Sequence, residues 1–166
     1  FSYTDGSFTI PDSIDKVWLK TNPIKFAELL TSVNTTMEGT LKPLIKMVKA
    51  WNINQGKPLR GYHLECLMYN RYKSYSQSYT YDFMIREFFN SLSSALSTYC
   101  ADPVMGGYVD SYLGNLSNEK RTNAIERAKI AYERAKLAVE YSENEKIVDS
   151  VKIWRQIFGD YFPAYG

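Results

Sequence analysis

Apolar residues recur at helical spacing through most of the chain. Between positions 41 and 54, Leu41, Leu44, Ile45, Val48 and Trp51 form one stripe, while Lys42, Lys46 and Lys49 fall at i, i+4 and i+7 on an adjoining face. This predicts a buried helix edged with ammonium groups, with Thr40 as cap and Pro43 tolerated in its first turn, ending near Asn54 before Gly56 and Pro58. Leu64, Leu67 and Met68 resume the spacing from about Gly61 to about Tyr72, and Ser74 to Ser78 reads as a polar loop. Phe83, Ile85, Phe88, Phe89, Leu92 and Leu96 mark a strongly apolar helix from about Tyr79 to Tyr99.

The flanking segments repeat the theme. Thr21-Asn22-Pro23 reads as a helix start, with Asn22 as cap and Pro23 at the first helical position, running to about Asn34. Residues 102 to 116 form an irregular connection with at most a helical turn. Ser117 then caps a long helix whose Ala124, Ala128, Ala131, Ala135 and Ala138 make a small-residue seam, and whose Lys and Glu residues fill the outer face. A last helix carries Ile147, Val151, Trp154 and Phe158 and stops at Gly159.

The N-terminus breaks the pattern. Phe1 to Ile10 alternates aromatic and polar residues around Asp5-Gly6, a dipeptide suited to a type I′ hairpin, and Ile10-Pro11-Asp12 is expected to end the strand. An isolated hairpin is marginal in water, so the remainder of its sheet is expected to lie outside this chain. The predicted fold is mainly α, a helical bundle lobe with a short N-terminal β-hairpin. Residues 1–20 are the terminal hairpin and connection, and residues 21–166 the helical C-terminal domain.

Composition narrows the function classes. With 166 residues, 45% of them hydrophobic, the chain suffices for one core. The net charge of +2 is small for a nucleic-acid binder, so an anion site must come from local clustering of Lys and Arg. Cys66 and Cys100 belong to no paired motif, which favours a reducing, cytoplasmic setting over secretion. No run approaches the roughly 18 apolar residues of a membrane span. The chain does not start with Met, as expected of a processed or excised piece of something longer.

Several chemistries are excluded by what is missing. His63 is the sole histidine, and no nucleophile-elbow sequence accompanies it. His63 and Cys66 stand at a metal-compatible helical spacing, yet no second ligand pair is visible, and a satisfied core histidine is the expectation. Gly106-Gly107 follows Pro103 with no preceding strand, so it is no phosphate loop. Asp12 and Asp15 read as capping and solvated carboxylates rather than as a two-metal pair. No catalytic or metal-binding residue is assigned to the chain.

The segments Ile10-Pro11-Asp12, Trp18, Thr21-Asn22-Pro23, the run Pro43 to Asn52 and Tyr62-His63-Leu64-Glu65 stand in an order and spacing that resemble the CD-NTases, the bacterial relatives of cyclic GMP-AMP synthase. The alanine seam and the ending Trp154 to Pro163 resemble that family's C-terminal end as well, so the likeness covers almost the whole chain. It implies the helical C-terminal lobe of an enzyme whose N-terminal lobe, with its Gly-Ser motif and Mg²⁺-binding carboxylates, lies outside this chain, leaving the chain alone inactive. The intact enzyme would join nucleoside triphosphates into a cyclic oligonucleotide messenger in antiphage defence.

By the same resemblance Lys49 corresponds to a lysine that contacts the nucleotide triphosphate, a task that suits a compact ammonium. Lys46 shares its face. Tyr62 corresponds to an aromatic residue that stacks on a base, and Gly61 stands where relatives often carry a phosphate-binding serine, leaving its backbone N–H for that contact. A solvated lysine and an ordinary core tyrosine are the plainer alternatives. The expected partners are nucleoside triphosphates, the missing N-terminal catalytic lobe and a regulatory protein, with no membrane and no double-stranded DNA. An RNA-end nucleotidyltransferase of the CCA-adding or oligoadenylate type, or a stand-alone helical module binding a nucleotide or a protein, are the competing functions.

Overall fold

Proline, asparagine, serine and glycine set several of the element boundaries. In the computed structural model, which describes Thr4 and residues 6–12, 16–112 and 117–164, Pro23 opens helix α1 (Pro23–Thr36), and the Asn22 side chain accepts the Lys25 N–H at 3.0 Å. Helix α2 (Leu41–Asn54) follows Gly39, whose φ of +85° suits a residue without a side chain. Thr40 does not cap it as expected; its hydroxyl instead donates backwards to the Met37 carbonyl.

Helix α3 (Gly61–Tyr72) has the predicted bounds, whereas α4 (Tyr81–Ala95) is shorter at both ends than the periodicity suggests. Just beyond its C-terminus the Arg121 guanidinium donates to the Leu96 carbonyl at 2.5 Å. The connection beyond it carries one helical turn, α5 (Val109–Tyr112). Ser117 caps α6 (Asn118–Glu143), and α7 (Ile147–Phe158) ends at Gly159 and a short 3₁₀ turn.

A short N-terminal ribbon is present, as expected, while the Asp5-Gly6 turn lies partly outside the described residues. Strand β1 (Phe8–Asp12) pairs antiparallel with β2 (Val17–Thr21), in a register running from Phe8 opposite Thr21 to Asp12 opposite Val17. Pro11 therefore sits inside a strand, opposite Trp18, rather than beyond its end. A two-stranded ribbon has a free edge on each strand, so a residue without an N–H need not cost a ladder bond. Lys16, just before β2, has a φ of +56°. Gly6 also has a positive φ, of 74°, while Phe1 to Tyr3, Asp5 and Asp15 lie outside the described residues.

Helix α2 is central, packing against α1, α3, α4 and α7. Leu41, Leu44 and Val48 are fully buried, and the Trp51 ring lies 5.1 Å from that of Phe89 on α4. Each such burial contributes about 1.5–3 kcal/mol. The five alanines of the α6 seam are buried, and α6 packs between α4 and α7, where small residues allow close approach. One hydrogen bond fixes the α6–α7 register: the buried Ser150 hydroxyl donates to the Ala138 carbonyl at 2.7 Å. Both cysteines are free and buried. No helix among the described residues is long and apolar enough to cross a membrane.

Candidate functional site

The N-terminal end of α3 gathers side chains from several elements. From α2, the Lys49 ammonium reaches across to the Glu65 carboxylate on α3, one turn beyond Tyr62. From α1, the Phe26 ring meets Tyr62 edge-on at 5.1 Å. From β1, Asp12 pairs with Arg60 at 3.4 Å, tying the ribbon to the residue that precedes α3. From the α4–α5 connection, Asp102 accepts the Tyr62 hydroxyl at 3.2 Å.

The structure thus brings Lys49 and Tyr62 to one face, although not as independent groups. Lys49 is 42% exposed, and its charge is already answered by Glu65. Tyr62 is half-buried, and burial, with Asp102 and Cys66 beside it, pushes its phenol well above the usual range, so it stays a neutral donor. Asp102 is the buried anchor behind it: one carboxylate oxygen takes Tyr62, while the other accepts the Val104 and Met105 N–H groups, each at 2.8 Å.

Gly61, the first residue of α3, is exposed, and a side chain added there would meet no atom within 4 Å. The lack of a side chain at this position is therefore not forced by crowding. Arg60 provides no side-chain cap, and the first intrahelical bond is Leu64 N–H to the Arg60 carbonyl at 3.0 Å. The N–H groups of Gly61, Tyr62 and His63 consequently lack helical acceptors, and with the helix dipole they favour an anion. Lys46 is exposed on α2, with no ion-pair partner among the described residues. Lys42 is turned to α1, where it donates to the Thr31 hydroxyl at 3.1 Å.

His63 is a core histidine, as expected from the absence of partner ligands. Its Nε2 lies 3.7 Å from Asp110, which also faces Arg121 at 3.4 Å and accepts the Cys100 N–H at 2.7 Å. Burial lowers the His63 pKa below 6.5, against the raising effect of Asp110 and with the help of Arg121. Among the described residues no three His, Cys, Asp or Glu side chains converge on a common point. The residues here do not fit a Mg²⁺ ion.

Glu65, Asp102 and Arg60 are the site residues to which the sequence assigned no role. Glu65 carried a local signal, since it stands one helical turn from Tyr62. Asp102 carried none, because its relation to Tyr62 spans 40 residues.

No protein-family profile matches the chain. It is 26% identical over 166 residues to a probable cyclic nucleotide synthase of Bacillus cereus (strain VD146), a match covering 99% of this chain and 48% of that protein. It is 27% identical over 167 residues to a cyclic AMP-AMP-AMP synthase of an Acinetobacter species, covering 95% of this chain and 47% of that protein. The chain spans about half the length of these curated relatives. The likeness to the CD-NTases first carried by short motifs is borne out by these two synthases, to which the chain is similar over nearly its whole length.

Proposed function

We propose that the chain is the helical lobe of a nucleotidyltransferase that joins nucleoside triphosphates into a cyclic oligonucleotide second messenger. The observation that carries this reading is the similarity of almost the entire chain to two cyclic nucleotide synthases. The geometry at the start of α3 supports it. An ammonium, three helix-terminal N–H groups and an aromatic ring lie within reach of one another, which suits a ligand with polyphosphate at one end and a base at the other.

In this reading Lys49 receives the triphosphate by exchanging Glu65 for phosphate oxygens, Lys46 adds charge at the edge, and the Gly61 N–H meets phosphate where relatives offer a hydroxyl. Tyr62 presents its ring to a base while Asp102 holds the phenol in place. The groups that activate the attacking hydroxyl, and the carboxylates that hold Mg²⁺, belong to the N-terminal lobe outside this chain, which by itself is inactive. A cytoplasmic role in antiphage defence and a regulatory protein partner complete the proposal.

The test supplies labelled nucleoside triphosphates and Mg²⁺ to the protein extended on its N-terminal side to the length of its relatives. A phosphatase-resistant cyclic product, lost in Lys49→Ala, is expected. Linear, RNA-dependent products point instead to an RNA-end nucleotidyltransferase, and no product from any mixture of triphosphates overturns the enzyme reading.

A further inference from the structure

A second cavity lies on the other side of α3. It has a volume of about 350 Å³ and is bounded by the C-terminal half of α3, the facing part of α4 and the irregular segment 98–101. Arg71 follows Tyr62 by nine positions, about two and a half helical turns, which places it on the opposite side of α3 from the Lys49–Tyr62 face. A volume above roughly 300 Å³ falls within the range that holds a small organic ligand.

The lining divides into an apolar wall and a basic rim. Leu67, Phe88, Leu92 and Ala95 supply the wall, and Arg71 and Lys73 the rim. No carboxylate among the described residues lines the cavity. Its two positive charges equal the net charge of the whole chain, in which 20 basic residues are otherwise nearly balanced by 18 acidic ones.

Arg71 is half-buried and held by stacking. Its guanidinium lies 5.4 Å from the Tyr75 ring centre and 5.7 Å from that of Tyr72, so two aromatic faces fix its plane. Its buried Nε has no hydrogen-bond partner among the described residues, and no carboxylate pairs with it there. The Nε has essentially no accessible surface, so an oxygen in the cavity would meet the guanidinium at its terminal amino groups. A rigid planar fork, pre-set by stacking, suits the tetrahedral edge of a phosphate. Lys73 stands beside it, its ammonium donating to Asn70 Oδ1 at 3.2 Å.

We propose that this cavity is a second ligand site, which takes a phosphate monoester carrying a flat apolar group. The dianionic phosphate sits against Arg71 and Lys73, and the apolar group lies along Phe88, Leu92 and Ala95. Occupancy has a physical route to the first face. Asn70 donates to the Ala101 carbonyl at 2.8 Å, and the next residue, Asp102, holds the Tyr62 hydroxyl. A ligand that orders the 98–101 wall thereby steadies the ring of Tyr62.

The experiment titrates the protein with 1-naphthyl phosphate by calorimetry, alongside 1-naphthol and inorganic phosphate. One saturable site is expected for 1-naphthyl phosphate, with both controls at least about tenfold weaker, since a hydrogen bond to a charged group contributes enough for such a factor. Arg71→Gln and the cavity-filling Ser91→Trp each weaken binding about tenfold or more, and Lys49→Ala leaves it unchanged. If Arg71→Gln fails to fold, Lys73→Gln and Ser91→Trp decide the question. Absence of saturable binding, equal binding of 1-naphthol, unchanged binding in these cavity variants, or loss of binding in Lys49→Ala would each overturn the proposal. The last result assigns the probe to the nucleotide face, so the two sites fail independently.

Discussion

Lys49 on α2 is ion-paired to Glu65 on α3, across 16 residues of sequence and over the rim of the proposed nucleotide face. An exposed pair of this kind contributes at most about 1 kcal/mol to stability. The pair matters more for what it withholds: any anion approaching Lys49 competes with a carboxylate already in place.

Removing that competitor gives the first prediction. Glu65→Gln keeps the side-chain shape and frees the ammonium, so triphosphate binding tightens by about threefold to tenfold, whereas Lys49→Ala weakens it about tenfold. A nucleotide titration of both variants checks this. If neither differs from the parent protein, Lys49 makes no phosphate contact.

Tyr62 and Asp102 separate ring from hydroxyl. Tyr62→Phe deletes one hydrogen bond but leaves Asp102 with its two backbone donors, and costs about 1 kcal/mol in urea unfolding. Asp102→Ala strands the Tyr62 hydroxyl and both N–H groups and costs about 2–4 kcal/mol. An order reversed between these variants would show that the carboxylate is not the anchor of the loop.

His63 makes stability depend on pH in one direction. Its folded pKa lies below 6.5, so below that pH the unfolded chain takes up a proton that the folded chain declines. This contribution is complete above about pH 6.5 and is lost as the pH falls toward the depressed folded value. Thermal unfolding at pH 7.5 and 5.5 is expected to show the loss, and His63→Gln to flatten it. Because the chain has one histidine, a slope that persists in the variant belongs to the carboxylates instead.

The thiols are predicted to be silent. Burial pushes Cys100 up to about 12 and Cys66 higher still, so neither forms an appreciable thiolate at pH 8. A thiol reagent added to the native protein should react only at the rate of unfolding. Fast labelling of either cysteine would show that the α3 end of the core opens readily.

Gly159 is tested by its own geometry. It has a φ of +65°, and a side chain there would come within 2.5 Å of Asn54 Oδ1. Gly159→Ala is expected to cost about 1–3 kcal/mol in chemical unfolding, combining left-handed strain with displacement of Asn54. A variant as stable as the parent would mean that the chain turns equally well without glycine.

Helices were legible wherever burial is one-sided. The Leu41-to-Trp51 stripe, the alanine seam, the Asn22 and Ser117 caps and the Gly159 stop are all local signals, and the structure uses each of them. An N-terminal hairpin was legible, but the pairing of Phe8–Asp12 with Val17–Thr21 was not, because a proline at position 11 argues locally against a strand there. The end of α4 was missed because Leu96 continues the apolar spacing, although it stands just past the last helical residue as the C-cap. At the candidate site, the lysine edge and Tyr62 could be found from spacing and resemblance. Glu65 and Asp102 define how those residues behave, and their roles arise only when α2, α3 and the 98–102 segment are packed together.

Asn54 closes the account of α2. Its amide donates to the Ile157 carbonyl at 3.0 Å, while at the other end the Lys42 N–H is held by the Asn34 side chain at 2.9 Å. The helix is thus clamped at both ends, once to the segment before it and once to the last helix of the chain. Its lysines have little freedom to roll or slide, and the placement of Lys49 is geared to the C-terminus more than 100 residues downstream. Changes near Phe158 would be felt as a shift in where positive charge is presented, at a distance from any residue that touches a ligand.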